Sequence, residues 1–230
     1  MHRNKTTVLL LAICTFLVPV GCQAQLFYRF KADFTIKEKT TEGKLQLTKG
    51  AVYYDKHINK LVYNITFPEK AFMIITDSAY HIIHGEEVIS TPAIPGMNEL
   101  TIFRKSLDGD LRNYGLDNTI YSPSKVENAD SMVITTWEPD KKSAKFLGKL
   151  MLSHKDNNLF GVVFFNPDEE VIGKEFMTDY VNLAGFKFPS RVIHITYKDK
   201  EEFYKVTTFE NIIVDEPGNE GKYDHAIPKS

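Results

Sequence analysis

The sequence predicts a mainly β protein: one strongly curved antiparallel sheet or an unclosed antiparallel β-barrel, with a helix as its lid. Three observations carry the prediction. Hydrophobic residues alternate with period two along much of the chain, turn-forming residues punctuate these runs, and one segment alone has the three-and-four spacing of a helix. A parallel α/β fold would need helices between its strands.

The chain of 230 residues opens on His2, Arg3 and Lys5 followed by the run Val8 to Val20, apolar apart from Thr15. That run is too short to span a bilayer comfortably and reads as a secretory signal peptide over residues 1–24. In "VPVGCQAQ", Cys22 and Ala24 are the small residues that a cut after Ala24 needs, whereas Pro19 stands where a lipidation site wants an aliphatic residue. The preferred reading is therefore a free periplasmic protein. The alternative is an outer-membrane lipoprotein anchored through a lipidated Cys22. Cys14 and Cys22 are the two cysteines, so after a cut at Ala24 the fold must be held by its core rather than by a disulfide.

No later segment has the length of a spanning helix. The leader takes two basic residues and no acidic one, which leaves 26 Lys and Arg against 30 Asp and Glu, a formal charge of −4. Without a basic stripe to displace counterions from phosphates, a nucleic-acid partner is not expected.

The remainder reads as a single β domain over 25–215. "RFKADFTIKEK" places Phe30, Ala32, Phe34 and Ile36 on one face, and "GKLQLTKG" does the same for Leu45 and Leu47. In "KLVYNITF", Leu61, Tyr63, Ile65 and Phe67 share a face, while Lys60, Asn64 and Thr66 share the other with Val62. Val133, Thr135 and Trp137 alternate in "SMVITTWEP", as do Leu150 and Leu152 in "LGKLMLSHK". "AFMIITD" and "LFGVVFF" are apolar on both faces, as in strands covered on two sides. Turn residues at 41–43, 55–60, 67–70, 155–158 and 166–170 separate these runs, giving roughly eleven to thirteen hairpin-linked strands.

The helix follows "TPAIPG". Met97, Leu100, Phe103, Leu107, Leu111 and Tyr114 form an apolar stripe, and Gly109 in "LDGD" can end or bend it. The stripe must face something apolar, and the concave side of the sheet is the natural partner. It packs equally well as ordinary core. The tail "DEPGNEGKYDHAIPKS", with residues 216–230 beyond the domain, lacks the apolar residues to fold alone.

Chemistry-bearing clusters are few. His81 and His84 in "HIIHGEE" are an odd number of residues apart, so on a strand their imidazoles point to opposite faces and do not build a metal site. "NPDEE" at 166–170 reads as a hairpin tip rather than a catalytic carboxylate pair, and "LDGD" lacks the other ligand positions of a calcium loop. His57, His154 and His194 read as solvated surface histidines. "NIT" at 64–66 falls inside a strand, where an acceptor for glycosylation is not expected. No nucleophile elbow, P-loop or dinucleotide fingerprint is present, so the expectation is a non-enzymatic protein without cofactor or metal.

"GKLQL" at 43–47, "NKLVYNITFPEKAFMIITDSAYHII" at 59–83 and "FMTDYVNLAGFKFPSRV" at 176–192 together resemble the LolA/LolB superfamily of lipoprotein carriers and outer-membrane lipoprotein-sorting proteins. The resemblance implies an unclosed barrel, capped by helices, whose hollow holds acyl chains. In those carriers an arginine on the second strand typically tethers the lid, and the corresponding position here is Val62, which cannot hydrogen-bond. The expected function is a periplasmic carrier of a lipoprotein acyl chain or other lipid. The alternative is an envelope sensor or protein-interaction module on the same fold. Face parity nominates Phe34, Ile36, Tyr63, Ile65, Phe67, Ile74, Phe103, Leu107 and Trp137 as the lipid-binding lining.

Overall fold

The computed structural model describes residues 27–39, 43–92, 100–198 and 201–228. The predicted leader, both cysteines and Met97 lie outside these residues. Thirteen strands form one antiparallel sheet among them, the top of the expected range. They are β1 (Arg29–Lys39), β2 (Leu45–Asp55), β3 (Lys60–Phe67), β4 (Ala71–Ile75), β5 (Ala79–His84) and β6 (Glu87–Pro92), then β7 (Tyr121–Ala129), β8 (Met132–Pro139), β9 (Leu150–Lys155), β10 (Asn158–Phe165), β11 (Val171–Leu183), β12 (Phe186–Lys198) and β13 (Glu201–Val214).

Hairpins build outward from β1 to the edge strand β6. The chain then crosses to the opposite edge at β7, and further hairpins return inward until β13 pairs with β1. The two edges do not pair, so the barrel is unclosed. Helix α1 (Leu100–Asp108) lies in the crossing segment. A connection between the two edges of a curved sheet runs across its open side, and this is what lays α1 over the concave face.

Alternation sets that face. Phe30, Ala32, Phe34 and Ile36 of β1 are all buried, as the sequence predicts. Beneath α1 the ring of Phe103 packs 5.0 Å from Phe30, 5.6 Å from Phe188 and 5.5 Å from Phe209, centroid to centroid. Leu107, Leu111, Leu116 and Trp137 join the same cluster. Aromatic pairs at these separations add to the area they bury.

The helix stops where the sequence places its breaker. Gly109 has φ +71°, its N–H donates to Ser106 O, and the Asp110 N–H donates to Lys105 O at 2.8 Å. This is a Schellman-type termination, which requires the left-handed residue that glycine supplies without penalty.

On β2 the expected inward face is wrong. Leu45 and Leu47 lie on the convex side, and Leu45 is 77% exposed. Register opposes Gln46, Thr48 and Gly50, not the leucines, to Glu38, Ile36 and Phe34 of the concave face. Gly50 also marks an irregularity in the β2–β3 pairing, and a Cβ there would meet the Asn64 carbonyl oxygen at 2.0 Å. The close approach of β3 thus demands glycine at this point.

The convex face carries a second cluster of Tyr53, Val62, Ile74 and Ile83, closed by Tyr223 from the short helix α2 (Glu220–Tyr223). Val62, grouped with the polar face of its strand in the sequence reading, is thereby buried. The C-terminal segment is held by Lys60–Asp224 at 2.6 Å and Lys31–Glu216 at 3.0 Å, with the Arg29 guanidinium 4.7 Å from the Tyr223 ring. It takes its structure by docking.

The Tyr223 hydroxyl is buried and has no hydrogen-bond partner among the described residues, whereas its ring fills the cluster. Tyr223→Phe is therefore expected to leave stability within about 1 kcal/mol of wild type or to raise it, because a desolvated hydroxyl is removed. Tyr223→Ala is expected to cost about 3 kcal/mol. Urea unfolding of the two variants checks the contrast.

Candidate functional site: a cavity under the lid helix

Between α1 and the strands β1 and β11–β13 lies a cavity of about 370 Å³. Its apolar wall includes Ile102 and Phe103 of α1, Tyr63 of β3, Val192 of β12 and Phe209 of β13. The volume falls in the lower part of the roughly 300–1,000 Å³ typical of ligand pockets.

One side is polar, and it is built by register. Glu38 of β1 pairs with Lys205 of β13, Lys205 with His194 of β12, and His194 with Glu175 of β11. Side chains directly opposite on adjacent antiparallel strands share a face, so the four form one row across the cavity wall, and all four line it. The Glu175 side chain is only 6% exposed, with its Oε1 3.6 Å from His194 Nε2. Its Oε2 accepts the Tyr114 hydroxyl at 2.9 Å.

Tyr114 belongs to the turn after α1 and adopts φ +53°, a left-handed conformation uncommon outside glycine, asparagine and aspartate. It gives the lid segment a polar tie to the sheet. Two others hold the same segment: His154 Nε2 donates to the Arg112 carbonyl at 2.7 Å, and Lys56 pairs with Asp108. Val62 makes no such contact, because it points to the convex cluster and away from α1.

Tyr114→Phe removes a hydrogen bond to a buried carboxylate and is expected to cost about 2 kcal/mol, with faster amide exchange across α1 and residues 110–116. Unchanged exchange there would remove the tie's role in closing the lid. Burial, with the Glu175 carboxylate beside it, also pushes the Tyr114 hydroxyl well above the ordinary tyrosine range. The folded state thus favours the neutral phenol more than the unfolded state does. Its contribution is complete below about pH 10 and is lost as pH rises further, which denaturant titrations on either side of that pH detect.

The nine nominated residues divide. Tyr63 and Phe103 line the cavity. Phe34, Ile36, Leu107 and Trp137 are buried in the concave cluster, and Ile65 packs against it. Phe67 does not share the face of Leu61, Tyr63 and Ile65: the irregularity that pairs Ile65 with Gly50 and Phe67 with Lys49 turns it to the convex side, where it is 48% exposed. Ile74 is on the opposite face, because its register partner is Val62 and both lie under Tyr223. In a strand apolar on both sides, alternation cannot choose between faces. His81 and His84 do point to opposite faces of β5, whereas His154 and His194 are half-buried partners of the lid and the cavity rather than solvated groups.

Sequence reasoning missed Glu175, His194, Val192, Thr207 and Phe209. The signal was present in β11 and β12, where Gly173, Glu175 and Met177, and Val192 with His194, share the period-two positions of the buried face. A glutamate and a histidine at inward positions mark a polar site inside an apolar hollow.

No family model matches the chain. No curated protein matches it either. Among solved structures, a LolA superfamily protein from Nitrosomonas europaea superposes with a TM-score of 0.55 at 12% identity, covering 85% of this chain and 90% of that one. A DUF1329 family protein from Desulfovibrio piger gives 0.57 at 12% identity, with 86% and 90% covered. A domain described as an outer membrane lipoprotein-sorting protein, from Vibrio parahaemolyticus, gives 0.58 at 8% identity, with 86% and 89% covered. At these identities the likeness is one of fold: the chain has a LolA-like fold, as its sequence resemblance implies.

Proposed function

We propose that this chain is a non-enzymatic lipid- or lipoprotein-binding carrier of the cell envelope, which holds an acyl chain in the cavity beneath α1. The observation that supports it is the apolar cavity between a helical lid and the concave face. Ile102, Phe103, Val192 and Phe209 supply an oily wall, and Glu38, Lys205, His194 and Glu175 supply donors and acceptors along one side.

The size of the cavity favours one hydrocarbon tail over the several of a fully acylated lipoprotein. The middle of the hollow is already occupied by the rings of Phe30, Phe103, Phe188 and Phe209. Burying methylenes contributes about 0.8 kcal/mol each before ordering costs. A carrier must also release what it binds. A lid tied by a few polar contacts suits this, because opening exchanges lid contacts for ligand contacts.

The aromatic filling of the hollow also lends support to a second reading, an envelope sensor or protein-interaction module that moves no lipid. Native mass spectrometry of protein isolated from its own envelope separates the two. An adduct with the mass of a single-chain lipid, lost on organic extraction, is the carrier result, and protein without adduct under conditions that retain lipids favours the module. The same spectrum reads the amino terminus. Export with a cut after Ala24 gives a chain starting at Gln25, whereas a diacylglycerol adduct on Cys22 gives the anchored form.

A further inference from the structure

The connection between β8 and β9 carries an exposed aromatic residue on an ordered loop. Asp140 accepts the N–H groups of Lys142 and Ser143 through its Oδ1, at 3.1 and 2.8 Å. A 3-10 turn, Ser143–Lys145, follows, and the N–H groups of Phe146 and Leu147 both donate to the Ser143 carbonyl at 2.9 Å. The loop is built, and it holds Phe146 81% exposed with Leu147 40% exposed beside it. Ile120, whose carbonyl accepts the Asp140 N–H, is 45% exposed.

Lys141, Lys142 and Lys145 share the loop with Phe146 and Leu147, all exposed and none in an ion pair among the described residues. The nearby acids are engaged elsewhere: Asp140 caps the turn, Glu138 accepts the Ser124 hydroxyl, and Glu169 pairs with Lys149. Apolar side chains among unpaired lysines match a surface that is anionic outside and hydrocarbon within.

Register places the end of the loop beside the cavity wall. Leu150, the first residue of β9, pairs with Phe164, Phe164 with Gly173, Gly173 with Thr196, and Thr196 with Phe203. The last four all line the cavity. The loop therefore ends one residue before a row that runs across the cavity wall.

We propose that the 140–149 loop docks this end of the barrel onto an anionic phospholipid surface, with Phe146 entering the interface and Lys141, Lys142 and Lys145 drawn to the headgroups. The inference goes beyond the carrier reading, since docking needs no cargo.

Co-sedimentation of protein isolated from its own envelope tests it, using vesicles of phosphatidylcholine alone and of phosphatidylcholine mixed with phosphatidylglycerol. The expected result is preferential binding to the mixed vesicles, weakened by salt. The preference should fall at least a hundredfold in the K141E/K142E/K145E variant, from roughly a fivefold effect per lysine lost with the three added carboxylates repelling the surface further, and at least tenfold in F146D. All four positions are exposed, so unchanged thermal melting is expected and confirms that the variants are folded. Equal partitioning to both vesicle types, or variants that pellet like wild type, overturns the proposal. Anionic-vesicle binding by protein that carries no acyl adduct keeps this inference while removing the carrier reading.

Discussion

Phe103→Ala is expected to lower the free energy of unfolding by about 3–5 kcal/mol, the cost of deleting a fully buried phenyl ring. Phe103 is 1% exposed and is in ring contact with Phe30, Tyr54, Phe188 and Phe209, so the void opens among side chains from β1, β2, β12 and β13 at once. Against a total stability of about 5–15 kcal/mol for a typical domain, this is a large fraction. Denaturant unfolding checks it, and a loss below 1 kcal/mol would show that α1 is not docked on the sheet. Phe103 is for the same reason a poor probe of binding, because Asp at this position would bury a charge among aromatic rings and unfold the protein.

Val192→Phe is the cleaner probe, and loss of acyl-chain binding is its expected result. Val192 lines the cavity from β12 and is buried. A phenyl ring there projects into open space, at a cost of about 1–3 kcal/mol in strain if neighbours must move. Excluding about three methylenes of a bound chain forfeits near 2.4 kcal/mol, roughly a fiftyfold weaker affinity. Titration with a fluorescent single-chain fatty acid reads the effect. A folded variant that binds as tightly as wild type would place the ligand elsewhere.

The architecture was legible because it rests on patterns that one sequence displays. Period-two alternation in β1, the apolar stripe of α1 and the glycine that ends it translate directly into burial and helix termination. The parts that failed depend on register or on distant chain. Nothing local to Leu45 says that register with β1 will set Gln46 and Thr48, and not the leucines, opposite the concave residues Glu38 and Ile36. Nothing local to Val62 or Ile74 says that Tyr223, some 150 residues on, will cover them. The cavity wall was missed because its polar row is assembled from four strands by pairing, and each member alone looks like a surface residue. Glu175 and His194 sit at inward positions, so alternation applied to β11 and β12 as strictly as to β1 would have exposed them.

The lid also has a physical account that Val62 could not supply. In place of the cation that the sequence resemblance implies at the Val62 position, Tyr114, Arg112 and Asp108 tie the helix and its turn to β11, β9 and the β2–β3 turn. Each tie is separable by substitution, so their shares in holding the lid can be measured by double-mutant cycles.

The account stands on α1 covering a space that an acyl chain can enter. Photo-crosslinking with a fatty acid carrying a diazirine near its methyl end, followed by peptide mapping, tests this directly. The account predicts adducts on the peptides that contain Ile102 and Phe103, Val192 and Phe209, competed away by unlabelled fatty acid and lost in Val192→Phe. Adducts confined to the convex face around Tyr223, or none above an unfolded control, would contradict it.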